Sequence, residues 1–292
     1  MKVASDWQDY KILGLSDGMK LENWRGVVLL RPDPQVIWRG ADLYSAPDIN
    51  AVYHRSAKGG GGWEIKRPFP AEWNIRYKDL TFKVKPMGFK HTGLFPEQAV
   101  NWDEMRRLIA LKKEREPDNE IKILNLFAYT GAASVACAKE GALVTHVDAA
   151  KGMVERAGEN ARLSGVDNGI RYIVDDCMKF VARELRRGNR YDGIIMDPPS
   201  YGRGPNGEMW KIENDLFGFV TACAQLLKDR PLFFLINSYT TGLQPAVLKN
   251  ILTIALKNFR GGAQAYEVGL PSEEGVPLPC GASGLFIGEN YA

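Results

Sequence analysis

From residue 121 onward the chain repeats one unit: a short apolar run, a turn, then a stretch with helical spacing. The apolar runs span residues 121–127, 143–147, 171–174, 193–196 and 232–236. Each is too short for a stable helix and carries β-branched or aromatic residues, so each is predicted to be a strand. Helical patterns fill residues 132–140, 152–164, 178–187, 212–228 and 245–258, and two more strands are expected at 263–268 and 284–287. Strand and helix alternating at this spacing build βαβ units, hence a parallel sheet with helices on both faces. The expected fold class is α/β with a Rossmann-like sheet.

Residues 1–95 read differently. They are rich in Trp, Tyr, Gly and Pro, with strands expected at 26–31 and 80–84. Turn signals such as Asp17-Gly18 and Pro32-Asp33-Pro34 separate short runs. A small β-rich N-terminal domain over 1–95 is therefore expected to precede a Rossmann-like domain over 96–292. An amphipathic helix over 97–116 opens the second domain, with Trp102, Met105, Leu108 and Ile109 on its apolar face. The five tryptophans Trp7, Trp24, Trp38, Trp63 and Trp73 are read mainly as core residues, with base stacking as the alternative.

With 292 residues, 45% apolar and 25% charged, the chain can bury a sizeable core. No apolar run approaches the roughly 20 residues of a membrane span, and the first residues carry no signal segment. A cytoplasmic protein with no membrane role is expected. Four cysteines, at 137, 177, 223 and 280, are too far apart for a zinc pair, so no metal site is expected. The net charge of +3 neither requires nor excludes a nucleic-acid partner. Local basic candidates are Lys58, Lys66 and Arg67, and the run Arg183, Arg186, Arg187 and Arg190, each also readable as a solvated face. Nothing in the sequence fixes an oligomeric state.

The strand ends carry the chemistry. In an open α/β sheet, ligands bind outside the carboxyl ends of the strands. Asn125-Leu126-Phe127-Ala128-Tyr129-Thr130-Gly131 closes the first strand and opens a helix. Its single glycine permits close backbone approach but supplies no G-x-G-x-x-G cradle for a pyrophosphate. That pattern disfavours a nicotinamide or flavin dinucleotide and suits a nucleoside cofactor with a carboxylate and no phosphate. Asp148 ends the second strand, placed to accept from ribose hydroxyls or to cap the next helix. Asp175-Asp176-Cys177 ends the third, suited to an adenine amine or again to a cap. Asp197-Pro198-Pro199-Ser200 ends the fourth. Its prolines fix φ and remove backbone donors, so Asp197 and the Pro198 carbonyl can accept from an exocyclic amine. Ser200 and Tyr201 could touch or stack on an extruded base. Residues 202–207 read as a mobile loop, with Arg203 and Lys211 as possible phosphate contacts.

These strand ends fit a class I S-adenosylmethionine-dependent methyltransferase. Asn125 to Gly131, the Asp175-Asp176 pair and Met196-Asp197-Pro198-Pro199 resemble the bacterial family of 23S ribosomal RNA cytosine-carbon-5 methyltransferases and its near relatives. Lys90-His91-Thr92-Gly93-Leu94-Phe95-Pro96-Glu97-Gln98 is similar to that family's lysine-threonine-glycine segment. Leu94, Pro96 and Glu97 depart from its usual residues. The resemblance covers about residues 80–243. It implies S-adenosylmethionine as cofactor and RNA, ribosomal in the family, as substrate. It also implies that Thr92, Phe95 and Gln98 lie near the cofactor's methionine end, and that Phe127, Ala128, Tyr129, Thr130 and Gly131 wrap it. Asp148 would take the ribose, Asp176 and Cys177 the adenine edge, and Asp197 the transfer site.

Two departures bear on the acceptor. Methylation of cytosine carbon-5 uses a cysteine thiolate on carbon-6, and the family places that cysteine after the fifth strand. Here Tyr239 stands at that position, within Asn237-Ser238-Tyr239-Thr240. Cys280, in a Pro/Gly loop, is the remaining thiol candidate, with a quiet buried cysteine as the alternative. If it is silent, an amine nucleophile held by Asp197 replaces the carbon acceptor. The N-terminal residues also do not resemble the RNA-binding module of the family. Methyltransferases of protein side chains or small molecules, and a cofactor-binding protein without catalysis, remain rival expectations.

Overall fold

Alternating apolar runs and amphipathic helices close, as expected, into a parallel-rich sheet in the computed structural model, which describes residues 1–56, 60–88, 90–203 and 209–292. The chain forms two compact units: residues 1–100 with 268–280, and residues 101–267 with 281–292.

In the first unit, β1 (Lys2–Val3) is followed by β2 (Tyr10–Ser16), β3 (Met19–Trp24), β4 (Val27–Pro32), β5 (Ala51–Arg55) and β6 (Gly61–Ile65). Strands β2 to β6 form one sheet in chain order. Its pairs are antiparallel except β4 with β5. A hairpin of β7 (Trp73–Tyr77) and β8 (Leu80–Val84) follows. Sequence alone signalled only β4 and β8, because the other strands alternate too briefly. Trp7, Tyr10, Trp24 and Tyr77 are buried and stack edge-on or tilted at 4.7–6.0 Å. Trp24 and Trp7 are thus core residues. Trp63 and Trp73 give their indole N–H groups to the carbonyls of Met87 and Trp24.

The second unit takes α1 (Ala99–Arg115), then β9 (Lys122–Leu126), α2 (Ala132–Lys139), β10 (Leu143–Asp148), α3 (Lys151–Leu163), β11 (Ile170–Val174), α4 (Cys177–Arg187) and β12 (Gly193–Met196). A short hairpin, β13 (Tyr201–Arg203) with β14 (Met209–Lys211), then leads to α5 (Ile212–Ala224), β15 (Phe233–Ser238), α6 (Pro245–Ala255), β16 (Gly261–Leu270) and β17 (Leu278–Gly288). The expected loop at 202–207 thus begins and is followed by strand, and residues 204–207 lie outside those described. The sheet order is β1-β16-β17-β15-β12-β9-β10-β11. β1 pairs in parallel with the first-unit end of β16, Lys2 opposite Val268. From β9 the chain steps outward to β10 and β11, then returns to the other side of β9 for β12 and β15. That reversal makes a topological switch point between β9 and β12, where Leu126 lies opposite Met196. Leu126, Met196, Phe219, Val220, Phe234 and Ile236 lie in the buried core of this unit, so the strand ends stand on a packed base.

Candidate active site

Three residues of the loop from β9 to α2 lie in the left-handed region: Phe127 at φ 54°, Tyr129 at 50° and Gly131 at 81°. For the two non-glycines that conformation costs on the order of 1–3 kcal/mol each and persists only where the surroundings impose it. The surroundings do. Ala128 N–H donates to the Val147 carbonyl at 3.1 Å, and Gly131 N–H to the Ala128 carbonyl at 3.0 Å. Tyr129 N–H donates to Asp148 Oδ2 at 2.8 Å. The buried Asn160 amide reaches the Thr130 carbonyl at 2.9 Å from α3. A Cβ on Gly131 would stand 2.6 Å from the Ala157 Cβ, so glycine is needed there for space as well as for φ. The Phe127 ring packs beside Trp210 and Phe219, with centroids 5.8 and 5.9 Å away. What Phe127 offers a ligand is therefore backbone.

Asp148 is not the N-cap of α3, a place taken by Ala150 with no side-chain cap bond. Oδ1 accepts from Ala150 N–H at 2.8 Å while Oδ2 holds Tyr129, so the carboxylate braces the loop and the start of α3. Each oxygen keeps a lone pair for a further donor. Asp176 is the N-cap of α4, accepting from Lys179 N–H at 2.9 Å. Cys177 turns its thiol inward: Sγ accepts from Phe127 N–H at 3.2 Å. Any contact it makes with an adenine would fall to its backbone at the helix start. Asp175 pairs with Arg183.

Across the switch point, Asp197 N–H reaches the Leu126 carbonyl at 3.4 Å, tying the Asp-Pro-Pro turn to the end of β9. Pro198 is buried. Trp210 Nε1 donates to the Pro199 carbonyl at 2.6 Å, and Ser200 Oγ shares a hydrogen with Thr240 Oγ1 at 2.6 Å. The hairpin after this turn presents Tyr201, 48% exposed, with its hydroxyl 3.7 Å from Met209 Sδ. Asp148, the Phe127–Gly131 loop, Asp176 and Asp197 thus lie on one edge of one sheet.

The family model for S-adenosylmethionine-dependent methyltransferases matches residues 52–212. The chain belongs to that family. A solved S-adenosylmethionine-dependent methyltransferase from Agrobacterium tumefaciens is 29% identical, with a TM-score of 0.89 over 97% of this chain and 91% of that one. The structure of SMU.776, a putative methyltransferase complexed with S-adenosylhomocysteine, shares the fold at 19% identity, with a TM-score of 0.72 over 97% and 76% of the two chains. A "Ribosomal RNA large subunit methyltransferase K/L" from Magnetococcus marinus is 34% identical over 56% of this chain and 22% of its own length. The chain thus spans about a fifth of the length of the curated relatives it matches.

The family is that of S-adenosylmethionine-dependent enzymes, and the residues present fit that cofactor. The side-chain-free Gly131 cradle and the spare acceptor capacity of Asp148 are what an amino-acid group and a ribose require. In the first unit, the Thr92 hydroxyl is buried with no hydrogen-bond partner among the described residues. That segment is firmly held: Arg31 donates to the Lys90 carbonyl at 2.7 Å and forks onto buried Glu22 at 2.6 and 2.7 Å. Arg31, with Lys20, brings the buried Glu22 carboxyl to about 2 although desolvation opposes this. Trp7 Nε1 donates to the Pro96 carbonyl at 2.9 Å. Phe95 packs beside His91 at 5.4 Å, and Gln98 is buried.

All four cysteines are free, and Cys280 is half-buried. Burial raises Cys137, Cys177, Cys223 and Cys280, the Cys177 thiol to about 12. Cys280 belongs to the first unit, where Glu97, Asp33 and Glu22 raise it further. Its thiol donates to the Leu278 carbonyl at 3.5 Å. Tyr239 packs in the second unit, where a Cβ on Gly281 would come within 2.9 Å of its ring. The basic candidates scatter: Arg67 pairs with Asp48, Lys66 with Glu64, and Lys58 lies outside the described residues.

Sequence reasoning missed the polar residues under the site. Asn125, Ser134 and His146 are buried in a row, with Asn125 Nδ2 2.9 Å from Ser134 Oγ and Ser134 Oγ 3.0 Å from His146 Nδ1. Burial brings the His146 imidazole down to about 4, so it is neutral. Its Cε1 lies 3.4 Å from where a Gly131 Cβ would be. Asn101, Asn237, Ser283 and Tyr266 form a second network at 2.7–3.1 Å that ties α1 to three strands. The available signal was a polar residue inside an otherwise apolar run, as at Asn125, His146 and Asn237.

Proposed function

We propose that the chain is an RNA methyltransferase that transfers a methyl group to a base, ribosomal RNA being the substrate class favoured by its likeness to the K/L enzymes, and that it works in the cytoplasm. The observation that carries this reading is the braced left-handed loop from Phe127 to Gly131, joined to Asp148 beside the Asp197-Pro198-Pro199 turn. Asp148 is proposed to hold the ribose, the loop from Phe127 to Gly131 to wrap the amino-acid end of the cofactor, and the α4 start at Asp176 and Cys177 to meet the adenine. On the motif, Thr92, Phe95 and Gln98 are proposed contacts to the methionine end. When bound, S-adenosylmethionine supplies an electrophilic methyl on a sulfonium. Asp197 would accept an N–H of the acceptor amine and orient it, taking up the amine proton as the methyl is transferred and S-adenosylhomocysteine leaves. Pro198 and Pro199 keep the turn rigid, Ser200 is steadied by Thr240, and the exposed ring of Tyr201 offers a stacking face.

The acceptor we favour is an exocyclic amine rather than cytosine carbon-5. A carbon acceptor needs a thiolate nucleophile. Every cysteine of the chain, the half-buried Cys280 included, has its thiol raised above the usual value, which disfavours a thiolate. Tritiated methyl transfer to total RNA, followed by nucleoside mass analysis, tests both statements: an N-methylated base is expected. A carbon-5 methylcytosine product would refute the acceptor, and transfer to protein alone would refute the substrate. Asp148→Ala removes the acceptor for the Tyr129 and Ala150 N–H groups and for the proposed ribose hydroxyls, so cofactor affinity should fall at least about tenfold, roughly the 1.5 kcal/mol of one hydrogen bond to a charged group. Unchanged affinity by calorimetry would reject its role.

A further inference from the structure

We propose that the second unit carries a phosphate-binding site at the amino ends of its parallel strands, the opposite edge of the sheet from Asp148 and Asp197. A cavity of about 630 Å³ opens there, within the size range of small-ligand sites. It is lined by Lys122 at the start of β9, Thr145 on β10, Arg171 on β11, Arg190 and Tyr191 before β12, and Lys228 after α5. Thr145 and Arg171 are register partners on neighbouring strands. Residues from five segments therefore converge on one space that the proposed methyl transfer does not use.

The charge balance of this space is decided by which carboxylates are already engaged. Glu184 is fully buried and accepts from the Tyr191 hydroxyl at 2.6 Å, the Asn189 amide at 2.8 Å and Arg187 at 3.1 Å. Asp192, 1% exposed, accepts from Lys122 N–H at 2.7 Å and Lys228 Nζ at 2.8 Å. Lys122 Nζ lies 3.5 Å from Glu120. Arg171 and Arg190 face the cavity with no carboxylate partner among the described residues. Within the basic run that stands out in the sequence, Arg183 is paired with Asp175 and Arg187 with Glu184, while the Arg190 bond goes to the Asn189 carbonyl at 3.0 Å. The end of α4 adds little negative field, because Gly188 and Asn189 N–H groups already engage the Glu184 and Leu185 carbonyls.

Two exposed guanidinium groups with no carboxylate partner among the described residues suit a phosphoryl oxyanion: the planar fork donates two parallel N–H bonds to it. The phosphate can belong to an RNA backbone or to a free nucleotide, and the site does not depend on which acceptor the other edge serves. The test uses the full chain and its Arg171→Ala/Arg190→Ala variant, each titrated with a labelled single-stranded RNA oligonucleotide and separately with ADP across a salt series. At least one probe should bind the variant about tenfold more weakly, with S-adenosylmethionine affinity and thermal unfolding unchanged. Weaker RNA binding with a salt slope reduced by roughly 0.7–0.9 per lost phosphate contact identifies the backbone as the source. Weaker ADP binding with RNA unaffected identifies a nucleotide. Equal affinities of both proteins for both probes, or no binding of either probe to the unaltered chain, would overturn the site.

Discussion

The two edges of the parallel sheet are built from different materials. At the carboxyl edge the shape is in the backbone: Phe127, Tyr129 and Gly131 all have positive φ, and loop amides are satisfied by neighbouring carbonyls and by Asp148. At the amino edge the shape is in side chains: Thr145, Arg171, Arg190 with Tyr191, and Lys228 reach in from four segments. A backbone-built site is rigid before its ligand arrives, which favours placing a reacting methyl. A site of long exposed cations has little geometric precision and suits holding charge.

The largest effect that separates these edges is chemical. Asp197→Ala should lower methyl transfer at least about hundredfold, the range for loss of a positioned acid–base group, while cofactor affinity stays within a few-fold. Transfer retained within tenfold would move the chemistry away from this turn. Next is the rigidity of the carboxyl edge. Gly131→Ala places a Cβ 2.6 Å from that of Ala157 in a backbone at φ 81°. Left-handed strain and overpacking together predict a loss of about 2–5 kcal/mol in urea unfolding, with cofactor binding lost in parallel. A variant with an unchanged midpoint and full affinity would show that the loop is not preformed.

That difference in material also explains what the sequence revealed. The carboxyl edge is written in contiguous motifs, so Asn125 to Gly131, Asp148, Asp176 and Asp197 could be picked out one strand end at a time. The five parallel strands β9 to β12 and β15 were found within one or two residues of their ends, because each is a short apolar run; β12 and β15 are buried throughout, while β11 is a largely exposed edge strand. What escaped is what depends on distant segments meeting. The double duty of Asp148 needs Tyr129 and Ala150 to be brought to it. The inward turn of the Cys177 thiol depends on the end of β9. Arg190 looked like one more charge in a basic run, and only the partners of Arg183 and Arg187 set it apart. The first unit was hardest: β2, β3, β5, β6 and β7 are short strands whose half-buried faces do not alternate cleanly.

His146 sharpens the comparison through pH. It supports the carboxyl edge from beneath, and burial brings it from 6.5 to about 4. The folded state therefore binds this proton less readily than the unfolded chain. Its contribution to stability is full above pH 6.5 and is lost as pH falls from there toward 4, by about 3 kcal/mol in all. His146→Gln has no such proton to bind, so its urea midpoint should fall less steeply over that window. Parallel acid limbs in the two proteins would show that the imidazole is not the group responsible.

The smallest effect tests whether the amino edge is independent of the cofactor. Tyr191 is 5% exposed, and its hydroxyl donates to fully buried Glu184 at 2.6 Å. Tyr191→Phe removes one of three donors to that carboxylate and leaves Asn189 and Arg187 in place. A hydrogen bond to a charged group contributes about 1.5–3 kcal/mol, and the remaining donors hold the loss near the lower end of that range. Calorimetry should then show S-adenosylmethionine affinity within twofold of the unaltered chain, because the altered bond lies a full strand length from Asp148. A matching loss of cofactor affinity would mean that the two edges move together, and the contrast between a preformed backbone site and a separate side-chain site would fail.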